Sequence, residues 1–228
     1  MSKKNKKSSG GLPGWFATYS DMMTLLFAFF VLLFSLSTLD PVKLAEFGKG
    51  GDKRTEIKDL AEIKQEFEKM IKELDMESTA TVSQDPRGIA LEIDGDICFE
   101  SSQVALRSEL KEVLNRAIKD VLSEDNDIRP IIVEGHTDSE KMVNNLTYPS
   151  NWELSTARAS EVVRYLIKNG VSFTRLSPVG YADTWPFGIT WAQRRGGDIN
   201  QELIDAMNAT GDLKSKNRRI KIIIGPNY

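Results

Sequence analysis

The chain has 228 residues, 33 acidic and 30 basic side chains and a formal net charge of −3. That balance argues against a nucleic-acid binder, whose domain is usually basic. A single cysteine, Cys98, excludes an internal disulfide framework and a cysteine-rich metal site, and a single histidine, His136, excludes an all-histidine metal site within one chain.

Residues 1–14 form a basic tail with Lys3, Lys4, Lys6 and Lys7, closed by the turn sequence GGLPGW. From Trp15 to Leu39 the only charged residue is Asp21. A run of this length is enough to cross a bilayer as a helix, which needs about 20 residues. A cleavable signal peptide is the competing reading, but its apolar core usually spans about 7–15 residues and ends in a small-residue cleavage site. The run is longer, rich in Phe and carries an acid, so a retained helix over 15–39 is expected. The lysine cluster precedes the helix and nothing comparable follows it, which places the tail in the cytoplasm and the rest of the chain outside.

Residues 40–55 read as a linker, with a short amphipathic piece, PVKLAEF, and a glycine-rich break. In 56–77, Ile57, Leu60, Ile63, Phe67, Met70, Ile71 and Leu74 recur at helical spacing. This segment suits either a coiled-coil stalk or the first helix of an outer domain. From 78 to 228, TATVSQ and GIALEID alternate as strands around the turn QDPRG. SELKEVLNRAIKDVLS is an amphipathic helix, and RPIIVEGHTD is a strand running into a loop. SNWELSTARASEVVRYLIKNG is a helix with Ser155 or a nearby polar residue at its start and Gly170 at its end. A short strand in FTRLSPVGYAD and a closing strand in NRRIKIIIG complete an α/β fold, an α+β sandwich. Cys98, within the apolar alternation IDGDICFE, reads as a buried small hydrophobe.

Asp21 carries the most information. A charged Asp at a helix centre costs about 2.5–3.5 kcal/mol on insertion scales, and such residues usually face a protein interior or an ion path. It lies roughly 9 Å into the span at 1.5 Å per residue. Ala17, Asp21, Thr24, Ala28, Val31 and Ser35 share one helical stripe, and Phe16, Met23, Phe27, Phe30 and Phe34 share a second. One helix cannot shield Asp21, so an oligomer is implied. The acid is a candidate proton carrier or, with oxygen donors such as Thr24 and Ser20, a sodium site. The competing reading is a hydrogen bond to a neighbouring helix.

PGWFATYSDMMTLLFAFFVLLFSLS resembles the membrane helix of the MotB/PomB family of stator proteins, in which a Thr or Ser follows the acid three residues later. EGHTDS, SNWELSTARASEVVRYLIKNG and NRRIKI resemble the OmpA-like peptidoglycan-binding domain, over roughly 78–224. The resemblance implies an inner-membrane, single-pass, peptidoglycan-anchored stator subunit of the bacterial flagellar motor, serving motility and chemotaxis. It implies a homodimer inside a ring of MotA-type partners, with proton or sodium flow through Asp21 and no bound cofactor. It assigns Asp138 and Arg158 to a wall peptide carrying both an ammonium and a carboxylate, with Thr137, Asn151 and Leu154 shaping the pocket and Arg218 as a further candidate. An Arg fork grips a carboxylate and an Asp accepts from an ammonium. For a lone arginine the competing reading is a surface or structural salt bridge. The resemblance also makes 41–47, with Val42, Leu44 and Phe47, a plug that blocks ion flow before assembly, where an interfacial helix is the alternative.

His136 next to Asp138 invites a catalytic reading, but no nucleophile is paired with it in a recognisable motif, and in the family this histidine is a loop element. Glu134 and Asp138 lack a second motif that would make them a glycosidase pair. A non-enzyme is expected. Two features depart from the family pattern: a longer segment between HTD and NWELS, and an insertion at 185–216 containing INQELIDAMNAT as an extra helix and two tryptophans. The rival functions are a stator-like unit of a non-flagellar machine, of the Zorya defence or gliding type, and a passive anchor between inner membrane and wall.

Overall fold

The computed structural model describes residues 13–36, 58–100, 103–122, 127–142 and 147–226. The chain divides into two units, residues 1–39 and 40–228.

The first unit contains α1 (Gly14–Leu36), an unbroken helix whose described side chains are exposed throughout. Its Gly14–Leu33 portion is long and apolar enough to cross a membrane by length and composition. The Thr24 hydroxyl donates back to the carbonyls of Ser20 and Asp21, at 2.6 and 3.0 Å. Its proton is committed to its own helix, and only its lone pairs remain for an ion. The segment holding Val42, Leu44 and Phe47 lies outside the described residues.

The second unit is a five-stranded sheet in the order β1-β2-β5-β3-β4, formed by β1 (Ala80–Asp85), β2 (Gly88–Asp94), β3 (Ile131–His136), β4 (Leu176–Gly180) and β5 (Arg219–Ile224). All neighbouring strands are antiparallel except β3 and β4, which run parallel. The crossover between those two is α5 (Asn151–Lys168), as a parallel pair requires. The other helices are α2 (Leu60–Glu73), the single turn α3 (Gly95–Cys98), α4 (Ser108–Ala117) with a π-helical extension over Ile118–Leu122, α6 (Trp191–Gly196), α7 (Gln201–Ala206) and α8 (Gly211–Asn217).

One sheet face carries the apolar core. Ile89, Leu91, Ile93, Ile131, Val133, Ile220, Ile222 and Ile224 meet the buried faces of α2, α4 and α5 there. Of the two readings left open for 56–74, packing selects the first helix of the outer domain, because Leu60, Ile63, Phe67, Met70 and Ile71 are all buried in this core. The folded unit therefore takes in residues before 78. Asp59 and Glu62 close a capping box that starts α2.

β5 is last in sequence and central in space, so it is buried on both faces. Arg219 and Lys221 fall on the face away from the core. The register sets Lys221 opposite Glu92 on β2 and opposite Glu134 on β3, and Arg219 opposite His136. The residues after β4 lie over this polar face. Trp185 is buried, its carbonyl accepts from Arg219, and its ring meets Lys221 and Arg87. Trp185 is thus a packing residue of the insertion. The insertion holds three short helices where one had been expected, each started by a side-chain cap from Thr190, Asn200 or Thr210.

Candidate functional site: a pocket at the C-terminal end of β3

Two close approaches build the site. Gly135 on β3 lies so near α5 that a Cβ there would fall 2.1 Å from the Ser155 carbonyl oxygen, and Gly180 on β4 approaches Thr156 similarly. Only glycine lets the helix descend this far. Ser155 is fully buried; its hydroxyl donates to the Trp152 carbonyl and accepts from the backbone N–H of Ala182, both at 3.1 Å. The cap of α5 is Ser150, in a capping box with Glu153, and Ser155 sits inside the helix. Gly170, at φ +98°, follows the last residue of the helix end, as expected from the sequence.

Beyond β3 the chain turns through Thr137 and Asp138. The Thr137 N–H donates to the Ala182 carbonyl at 2.9 Å, and the Asn151 side chain donates to the carbonyls of Asp138 and Glu140 at 3.1 and 2.9 Å. Asn151 therefore holds the loop, and its amide is engaged by backbone. A cavity of about 760 Å³ opens here. Thr137, Asp138, Asn151, Leu154, Arg158 and Arg218 all line it. Every wall-binding residue expected from the sequence converges on one pocket.

The two acid–base positions differ from a simple Asp–Arg pair. Asp138 accepts from the Glu140 N–H at 3.1 Å and pairs with Arg218 at 2.6 Å. Arg218 in turn forks onto Asp96, with Nε and Nη2 each 2.9 Å from a carboxylate oxygen. That fork holds the Asp96 carboxyl below the usual range and raises the Arg218 guanidinium. Arg158, 6 % exposed, donates to the backbone carbonyls of Gln103 and Glu100 at 2.9 and 3.2 Å and stacks over Phe99. Among the described residues it has no carboxylate hydrogen-bond partner. Burial brings it down to about 10, still protonated at neutral pH. Asp138 and Asp96 act on it through space, but a buried, charged guanidinium facing a pocket without a direct carboxylate bond favours an anionic ligand group.

Asp96 and Phe99 were not singled out from the sequence. IDGDICFE read as one alternating stretch, whereas β2 ends at Asp94 and residues 95–98 form a helical turn. Cys98 is buried as expected, and burial pushes its thiol up. His136 is a strand residue at the end of β3, where a loop position had been expected. It is buried, stacked on Tyr181 and edge-on to Trp185, and burial first, with Arg219 adding, pulls its pKa down to about 3. It faces the polar side of the sheet with Glu134, outside the set of residues lining the pocket.

Comparison with known proteins adds identity to this geometry. The family model for the membrane MotB of the proton-channel complex MotA/MotB matches residues 2–50, and the OmpA family model matches 98–196. Motility protein B of Bacillus subtilis is 25% identical over 277 residues, covering 99% of this chain and 97% of that protein. YtxE of the same organism, an uncharacterised protein, is 29% identical over 246 residues, covering 98% and 91%. Among solved structures, the cell wall anchor of the T6SS from Pseudomonas aeruginosa superposes with a TM-score of 0.54 at 25% identity, covering 71% of this chain and 97% of the other. The periplasmic domain of Helicobacter pylori MotB superposes at 0.52 with 23% identity, covering 65% and 80%, a likeness of fold. A membrane segment matched at one end, an OmpA-like fold at the other and a full-length motility relative mark the chain as similar to MotB-type, OmpA-like proteins.

Proposed function

We propose that this chain is the ion-carrying, wall-anchored stator subunit of a bacterial flagellar motor. In this reading α1 spans the inner membrane with its N-terminus in the cytoplasm, and the OmpA-like domain is periplasmic. Two copies sit within a ring of MotA-type partners, and Asp21 carries the proton or sodium ion, with no catalysis and no bound cofactor. The match of residues 2–50 to the membrane part of a proton-channel complex supports the ion-carrying half. One charge crossing about 100 mV releases roughly 2.3 kcal/mol, enough to bias a partner's conformation if ion binding changes the contacts of each state.

The observation that carries the wall-binding half is Arg158, a buried cation with no carboxylate hydrogen bond among the described residues, in the same pocket as Asp138. The arrangement suits a peptide end bearing an ammonium for Asp138 and a carboxylate for Arg158. Removing a charge-assisted contact costs about 1.5–3 kcal/mol, so Arg158→Ala is expected to weaken binding to purified sacculi by about tenfold or more. Pelleting of the full chain with sacculi measures this, and wild-type retention of the variant would reject the pocket.

The likeness to a secretion-system wall anchor favours a second reading, a passive tether in which Asp21 is idle. Tethered-cell torque with Asp21→Asn separates the two. Lost torque with normal membrane insertion supports the stator; unchanged torque supports the tether. For the plug at 41–47, deletion of 41–50 alongside the MotA-type partner is expected to acidify or salt-load cells and slow growth; unchanged growth and cytosolic pH would reject it.

A further inference from the structure

We infer that Asp96 is a positioning residue that fixes Arg218 as the second guanidinium of the pocket, so that a ligand carboxylate is gripped between Arg158 and Arg218. The inference rests on the wall-binding reading of the pocket and adds a residue to it.

Arg218 is a long side chain at the pocket's open side, 30% exposed, and such a chain free in solvent samples many rotamers. Asp96 removes that freedom. It takes the Nε and Nη2 edge of the guanidinium at 2.9 Å each, the fork geometry that orients the plane as well as the charge. Asp96 is itself fixed from two sides. Ser215 on α8 donates to its Oδ2 at 2.8 Å. The neighbouring Gly95 N–H donates to the Arg218 carbonyl at 2.6 Å, and a Cβ on Gly95 would lie 2.7 Å from that oxygen. Backbone and side chain of the 95–96 turn therefore lock the same arginine.

With one edge held, Nη1 donates one hydrogen to Asp138, 2.6 Å away, and the second hydrogens of Nη1 and Nη2 remain for a ligand. Arg158 is held just as firmly by the carbonyls of Gln103 and Glu100. The two guanidiniums line one cavity; besides burial, Arg218 lowers the proton affinity of Arg158, a repulsion that Asp138 and Asp96 offset in part. An anion between them relieves that repulsion and uses donors already oriented, so little entropy is lost on binding. Asp138 stays the acceptor for an ammonium on the same ligand. The arrangement selects a carboxylate and an ammonium carried close together.

The test uses the full chain in detergent and two synthetic peptides. One has a side chain ending in a free amino acid centre; in the other that centre's carboxylate is a primary amide. Calorimetry gives the affinity ratio of acid over amide. Asp96→Asn keeps the size of the side chain and the bond to Ser215 but loses the charged fork. It is expected to lower affinity for the acid about tenfold, leave the amide as in wild type, and so shrink the ratio. Arg218→Lys is expected to do the same, and the double variant to be no worse than Arg218→Lys alone, because both changes remove one interaction. Equal loss for both peptides, no loss for either, or additive effects would overturn the inference. Asp138→Asn and Arg158→Ala separate the failures. If they weaken binding while Asp96→Asn does not, only the positioning role falls; if they bind like wild type, the pocket reading falls and this inference with it.

Discussion

The outer domain carries two clusters of charge, and they are built to opposite ends. On the polar face of the sheet, Asp85, Glu92 and Glu134 meet Arg87, Arg219 and Lys221, each acid paired with at least one base. Trp185, Trp191 and Phe187 lie against these cations. In the pocket, Asp96, Asp138 and Arg218 form one chain of contacts, and among the described residues Arg158 bonds to carbonyls and stacks on Phe99. The first cluster is paired throughout and roofed; in the second, which is open, both acids bond to Arg218 and neither bonds directly to Arg158. Closed, ion-paired charge under a roof holds a fold together, whereas a charged set beside a cavity is open to a ligand.

The strongest way to break this contrast is to unbalance the closed cluster. Glu134→Ala strips Arg87 of one of its two buried carboxylates, leaving Asp85, and removes the acid opposite Lys221. Breaking a buried pair costs about 3–5 kcal/mol. A denaturant melt of the full chain should show that loss, whereas Arg158→Ala, which removes two hydrogen bonds to carbonyls and no ion pair, should cost less stability and weaken sacculus retention about tenfold or more. Equal stability losses for both variants would erase the distinction.

Next in size is Gly135→Ala. The new methyl meets the Ser155 carbonyl at 2.1 Å, so α5 must lift from β3. Overpacking of this kind costs about 1–3 kcal/mol. Because α5 carries Asn151, Leu154 and Arg158, wall binding should fall together with the melting midpoint.

The closed cluster also sets the pH dependence. His136 has a folded pKa of about 3 against an ordinary 6.5, so the folded state binds fewer protons than the unfolded chain between those values. Stability is full above about pH 6.5 and declines as pH falls towards 3. Asp85, held at about 2 by Arg87 and Lys221 despite its burial, adds a further loss as pH falls from about 4 towards 2. His136→Phe should flatten the melting midpoint between pH 6.5 and 4.5; an unchanged slope would assign the titration elsewhere.

The smallest effect is expected at the roof. Trp191→Ala removes the ring under Arg87, 4.8 Å from its guanidinium carbon. A partly exposed cation–π contact is worth about 0.5–1 kcal/mol. A slightly lower melting midpoint with unaltered sacculus binding would keep the insertion in a structural role; lost binding would bring it into the site.

Periodicity and local chemistry made much of the molecule legible in the sequence. The apolar run around Asp21, the alternation of β1 and β2 about the turn at Asp85–Gly88, and the amphipathic stripes of α4 and α5 each follow from contacts between near neighbours along the chain. The residues of HTD and of LSTARA were legible as candidates because of their types and order. What the sequence could not determine was which distant residues complete the pocket. Asp96 and Arg218 are separated by more than half the chain, and they meet because β5 inserts between β2 and β3. The burial of His136, the roofing role of Trp185 and the assignment of residues 60–73 to the core were decided in the same way. Each depends on which faces of the sheet are covered, a property of strand order and helix packing that no local pattern encodes.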